Sequence, residues 1–185
     1  MLSAECRRPL GPERSRKLPM IVLLMGVTGA GKTTVGALLA RQMGWEFADA
    51  DSFHSAANVE KMRRGIALTD EDRAPWLQAL HDFMAERSAA GRDLVLACSA
   101  LKRVYRQKLC EGLDIKLVYL HGKQEYIVER LRGRRGHYAP ASLVASQFAD
   151  LEEPDDDEPE EVAVVEIDHS PEEIVAEIRR RLGLA

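Results

Sequence analysis

The stretch "GVTGAGKTT", Gly26 to Thr34, directly follows the apolar run "MIVLLM" and directly precedes "VGALLA". Few short sequences restrict a fold so strongly. It satisfies the pattern G-x-x-x-x-G-K-[ST] through Gly26, Gly31, Lys32 and Thr33, with a buried strand expected before it and a helix after it. Glycines let successive backbone N–H groups turn inward around phosphate oxygens, and the helix N-terminus adds the positive end of its dipole. The loop from Gly26 through Thr28, Gly29, Ala30 and Gly31 to Lys32, Thr33 and Thr34 is therefore expected to hold nucleotide phosphates. Lys32 would reach the β- and γ-phosphates, Thr33 would place its hydroxyl on Mg²⁺, and Thr34 would begin the helix. A glycine-rich turn that binds nothing is the bland alternative, and the flanking strand and helix count against it.

The 185-residue chain sets the frame for that loop: at 45% hydrophobic it can bury one sizeable core and is short for two domains. A net charge of −4 argues against a nucleic-acid or anionic-membrane partner and for a small one. Three cysteines, Cys6, Cys98 and Cys110, without a C-x-x-C pair suggest neither a disulfide framework nor a zinc site, which fits a reducing cytoplasm. Residues 1–19 lack the apolar centre of a secretory signal, and no run is long enough to span a bilayer. Their two glutamates and missing amphipathic face weigh against a mitochondrial address, so this arm is expected to be disordered and dispensable.

Short β-branched runs alternate with helical patterns. Strands are expected at Ile21–Met25, Glu46–Asp49, Leu94–Cys98, Lys116–Leu120 and Ala163–Ile167. Helices are expected at Lys32–Met43, Ala56–Arg64, Pro75–Ala90, Lys102–Glu111, Gln124–Leu131, Pro140–Leu151 and Pro171–Leu182. The strands are apolar without strict alternation, as in a parallel sheet covered on both faces, so the expected fold is an α/β three-layer sandwich with a five-stranded parallel sheet. The acidic segment "EEPDDDEPEE", residues 152–161, reads as a solvated loop.

Binding a nucleotide does not say what is done with it. A guanine-nucleotide switch needs an N-K-x-D base reader, but the single asparagine, Asn58, is followed by valine. A motor needs more room, whereas a small kinase needs a core, an acceptor segment and a lid. The second strand ends in "DADSFH", which sets Asp49 and Asp51 at the carboxyl edge of the sheet, on one face if the strand alternation continues. Asp49 is assigned to the Mg²⁺ shell and Asp51 to the acceptor hydroxyl and its proton. Alternatively, Asp51 or Ser52 caps the helix that follows.

Taken in order, "GVTGAGKTT", "DADSFHSAANVEKMRRGIALTDEDRAPWL", "ACSALKRVYR", "ERLRGRRGHY" and "LVASQFADLEEP" resemble the gluconokinases of the small P-loop kinase type, over nearly everything from Met20 onward. The resemblance implies transfer of the γ-phosphoryl group of ATP, with Mg²⁺, to the 6-hydroxyl of D-gluconate, and a homodimer. It also implies acceptor contacts at Asp51, His54, Lys61, Arg64, Lys102, Arg106 and His137, donors that suit a small hydroxylated anion. His54 could equally start a helix, and Lys61 and Arg64 could be a solvated face.

"ERLRGRRGHY" reads as a lid near 132–140, in which Arg130 and Arg134 approach the nucleotide and offset charge developing on the phosphates. A basic surface helix is the alternative. Cys98 reads as a buried strand residue without a catalytic role. In "TDEDRAPWL", Pro75 is expected in the first turn of a helix capped from the Asp72 side, with Trp76 and Leu77 packing inward. Departures from the family pattern are small: Thr28 and Ala30 stand where serines are common, "HSAAN" lacks a proline after the histidine, and Tyr138 replaces phenylalanine after "GH". A shikimate-type kinase is the runner-up, weakened by the absence of a triple-glycine substrate loop. A nucleotide-binding regulator without transfer activity is the third reading.

Overall fold

Apolar runs that bury both faces must be covered on both faces, and the fold is the solution to that constraint. The structure is a computed structural model that describes residues 18–132, 141–155, 158 and 161–184. Its strands are β1 (Ile21–Met25), β2 (Glu46–Asp49), β3 (Leu94–Ala97), β4 (Ile115–His121) and β5 (Val162–Glu166). They form one sheet in the order β2-β3-β1-β4-β5, with every neighbouring pair parallel. The helices are α1 (Lys32–Met43), α2 (Ala56–Arg63), α3 (Asp70–Ala89), α4 (Arg103–Cys110), α5 (Gln124–Arg132), α6 (Ala141–Asp150) and α7 (Pro171–Arg181).

Strand β1 is central: Leu23 pairs with Leu96 on one side and Leu117 on the other, and all five of its residues are buried. Successive side chains of a strand face opposite ways. Ile21, Leu23 and Met25 accordingly join Trp76, Leu80 and Met84 of α3 and Leu109 of α4 in one core. Val22 and Leu24 join Val35 and Leu39 of α1, Ile127 of α5 and Ile174 and Ile178 of α7 in the other. At about 1.5–3 kcal/mol for each large side chain fully buried, these two layers are the main source of stability. The chain leaves β1 toward β2 through α1 over one face and leaves β3 toward β4 through α4 over the other. Between β1 and β3 the connections diverge, and ligands of such sheets collect in the crevice this opens at the carboxyl edge.

Three features depart from the sequence reading. Helix α3 starts at Asp70, because Thr69 accepts the Asp72 N–H while the Asp72 carboxylate accepts the Thr69 N–H, a reciprocal capping box. Pro75 thus falls at the sixth helical residue, where it supplies no N–H for the Glu71 carbonyl, rather than in the first turn. Trp76 and Leu77 are buried as expected.

A 3-10 turn, Ala50–Phe53, follows β2, so strand alternation does not carry through from Asp49 to Asp51. Asp49 caps that turn by accepting the Asp51 N–H, and Ser55 caps α2, so neither Asp51 nor Ser52 is a cap. The acidic segment is also no free loop. The Glu152 N–H donates to the Leu101 carbonyl at 2.9 Å, Tyr119 donates to Glu153 at 3.2 Å, and Glu158 is ion-paired with Arg106, its side chain 2% exposed. Among the described residues, no helix is long and apolar enough to cross a membrane.

Candidate active site at the carboxyl edge of the sheet

The glycine-rich loop leaves β1 at the crevice and is shaped by contacts on every side. Gly26 has φ +140°, and a Cβ there would lie 2.9 Å from the Leu120 carbonyl oxygen of β4. Only glycine fits. Gly31 caps α1 at φ +95°, and a Cβ on it would come within 3.3 Å of Nη2 of Arg130. The Arg130 guanidinium of α5 therefore lies against the start of α1, where the helix dipole favours anions. Its Nη1 is buried with no hydrogen-bond partner among the described residues. A buried guanidinium nitrogen left unpaired over a cradle of backbone amides is the electrostatic signature of an anion site.

Lys32 Nζ donates to the carbonyls of Gly26 at 2.9 Å and Val27 at 3.1 Å, so its ammonium sits within the loop. Burial pushes its pKa down, opposed by the negative charges of Asp51 and Asp49. Thr33 Oγ1 donates to Asp49 Oδ2 at 2.7 Å, bringing together the two oxygens assigned to a divalent cation. Asp49 Oδ1 accepts the Asp51 N–H at 3.1 Å, which places Asp51 next in the crevice. Burial pushes the Cys98 thiol up to about 12, so it stays protonated and inert at neutral pH.

His54 lies beyond Asp51, its ring stacked on Trp76 at 4.5 Å and 7°. Trp76 is itself fixed by a 2.8 Å bond from Nε1 to the Ala50 carbonyl. Burial lowers the His54 pKa, with Asp51 opposing and Arg73 reinforcing the shift, so the imidazole is neutral at pH 7. Its Nδ1 is buried without a partner among the described residues.

The first turn of α3 holds two of the expected acceptor cations. Lys61 Nζ lies 2.7 Å from both oxygens of Asp72, and Lys102 Nζ lies 3.1 Å from Asp70 Oδ1. Tyr105 donates to the same Asp70 oxygen, and Arg73 sits 5.8 Å from the Tyr105 ring. Arg64 ends α2, exposed, and Thr34 is exposed in the first turn of α1.

Arg106 does not join this set. It is 1% exposed and bound by Glu158 and the carbonyls of Ala100 and Leu101, which leaves little of its charge for a ligand. Arg134 and His137, with the expected lid segment beyond Arg132, lie outside the described residues. Sequence reasoning missed Gln147 of α6, whose Oε1 accepts the Thr28 N–H of the loop at 2.6 Å. It also missed Asp70 and Asp72 as holders of the lysines, although the [ST]-x-x-[DE] pattern at Thr69 marks that helix start.

A parallel sheet with a glycine-framed phosphate cradle at its switch point, a lysine in the cradle and a threonine–aspartate oxygen pair beside it defines a P-loop phosphotransferase fold. The AAA domain family matches residues 21–154. A gluconokinase of Gluconobacter oxydans is 47% identical over 163 residues, 88% of this chain and 90% of that one. The crystal structure of a sugar kinase from Janibacter superposes with a TM-score of 0.83 at 43% identity, covering 90% of this chain and 96% of that one. That of a gluconokinase from Sinorhizobium meliloti gives 0.78 at 38%, covering 90% and 93%. The chain belongs to the gluconokinase family.

Proposed function

We propose that this protein phosphorylates D-gluconate at its 6-hydroxyl, consuming ATP and releasing ADP. The observation that carries the nucleotide half is the orphaned Arg130 Nη1, on a guanidinium that lies against Gly31 at the start of α1, while the Lys32 ammonium is held within the same loop. Family membership carries the acceptor half. The glycine backbone and Lys32 bind and orient the phosphates, and Lys32 and Arg130 stabilise the charge that spreads over the transferred group. Arg134, in the expected lid segment, is assigned the same task.

The residues fit Mg²⁺, since Thr33 and Asp49 present hard oxygens 2.7 Å apart, and the ion characteristically takes one or two protein oxygens plus phosphates. When bound there, Mg²⁺ would neutralise phosphate charge and fix the phosphate geometry. Asp51 hydrogen-bonds the acceptor hydroxyl and takes its proton as the new P–O bond forms. Neutral His54 orients a further hydroxyl through Nδ1, and Lys61, Arg64, Lys102 and His137 supply cations and donors to the acid. Asp70 and Asp72 hold the two lysines ready, and gluconate's carboxylate competes for them. A cytoplasmic homodimer is part of the same reading, checked by sedimentation.

ADP release from Mg-ATP is measured with D-gluconate, shikimate, glucose, AMP and no acceptor. Release stimulated by gluconate alone is expected. Release with another acceptor would keep the phosphotransfer and discard the substrate, and no stimulation by any would favour a nucleotide-binding regulator. Chelating Mg²⁺ with EDTA should abolish turnover.

A further inference from the structure

Arg106 and Glu158 are 52 residues apart in sequence, yet their side chains are 1% and 2% exposed. Arg106 Nε donates to Glu158 Oε1 at 3.0 Å, and Nη2 donates to the same oxygen. Nη1 is turned to the chain just ahead of α4, donating to the Ala100 carbonyl at 3.2 Å and the Leu101 carbonyl at 3.0 Å. Ala100 has φ +44°, the one non-glycine residue of positive φ among those described. Side chains seldom adopt that conformation, and it persists where the surroundings over-determine it.

The turn so held connects three parts of the site. Ser99, before Ala100, accepts the Gly26 N–H at 3.2 Å and so braces the entry to the phosphate loop. Lys102, after Leu101, is the N-cap of α4, with its ammonium on Asp70. The Leu101 carbonyl also takes the Glu152 N–H, which ties on the acidic strap that carries Glu158.

We propose that the Arg106–Glu158 pair is a positioning clamp: it locks the Ser99–Lys102 turn in its left-handed form, and thereby aims Lys102 at the acceptor and steadies Gly26 beneath the nucleotide. The acidic strap is then a working part of the enzyme rather than a solvated connector. This rests on the proposed gluconate site only for its kinetic consequence.

The two roles open to Arg106 make opposite predictions for its partner. If Arg106 were a ligand to the acceptor, Glu158 would compete with it, and Glu158→Gln would leave gluconate affinity unchanged or improved. As a clamp, the pair loses its grip from either end. Arg106→Lys and Glu158→Gln should each raise the KM for gluconate or lower kcat about tenfold, with a smaller rise in the KM for ATP from the loosened Gly26 contact. The double variant should be no worse than the poorer single, the non-additivity of residues acting as one unit.

Hydrogen exchange gives a readout independent of the acceptor: in Glu158→Gln the amides of Ser99–Lys102 and Gly26 should exchange faster, with those of β4 and α7 unchanged. Exchange that is unaltered, or faster across the whole sheet, would overturn the clamp. So would wild-type kinetics in a folded Glu158→Gln, or additive losses in the double variant. Should Arg106→Lys fail to fold, Glu158→Gln, which keeps an acceptor oxygen in place, decides the matter by exchange and by the KM-against-kcat split. Failure of the unmodified enzyme to use gluconate would sink the substrate assignment alone, since the exchange result stands without it.

Discussion

At the scale of single residues, chemistry concentrates on Lys32 and Asp51, and each predicts a different kinetic signature. Lys32→Ala removes the ammonium held by the Gly26 and Val27 carbonyls and should lower kcat by about 10²–10³, the loss typical of one preorganised donor to the transition state. Asp51→Asn should lower kcat by about 10²–10⁴ with ATP affinity retained, as for loss of a general base. Unchanged turnover would remove Asp51 from that role. The position of the loop and of both aspartates at the carboxyl edge was legible because phosphate binding demands fixed residue types at fixed spacing. Arg106, expected at the acceptor and found paired with Glu158, shows the converse. A guanidinium near a site looks the same in sequence whether it meets a substrate or a carboxylate from 52 residues away.

At the scale of elements, α3 shows what local sequence does and does not reveal. Its buried Trp76 and Leu77 were predictable, but the helix begins five residues before the expected Pro75, because the capping box at Thr69 outweighs one missing hydrogen bond. Thr69→Ala should therefore cost about 1 kcal/mol in chemical denaturation. The same turn carries a pH dependence. Hydrogen bonds from Tyr105 and then Lys102 hold Asp70 below its ordinary value of 3.8, and those from Lys61 and then Thr69 do so for Asp72. A carboxylate depressed in the folded state contributes stability that is complete above its unfolded pKa and lost as pH falls through the folded one. Melting temperature should thus drop as pH falls below about 3.8, and Asp72→Asn should flatten that limb.

At the scale of the whole molecule, β1 joins the two cores to the site, since its end is the start of the phosphate loop. Leu23→Ala empties space between α3 and the sheet and should cost about 2–5 kcal/mol by urea titration, with the fold retained. The sequence by itself determined the layered architecture, the phosphate loop and the family, because hydrophobic period, glycine geometry and motif spacing are local or nearly local properties. Tertiary structure alone decided which charges remain for the ligand. Arg130 is left with an unpaired nitrogen over the loop, Lys61 and Lys102 are held by acids of α3, and Arg106 is sealed under the acidic strap. Electrostatic pairing depends on distance in space, and residues 11, 32 and 52 positions apart become neighbours only when the sheet brings their helices and loops together.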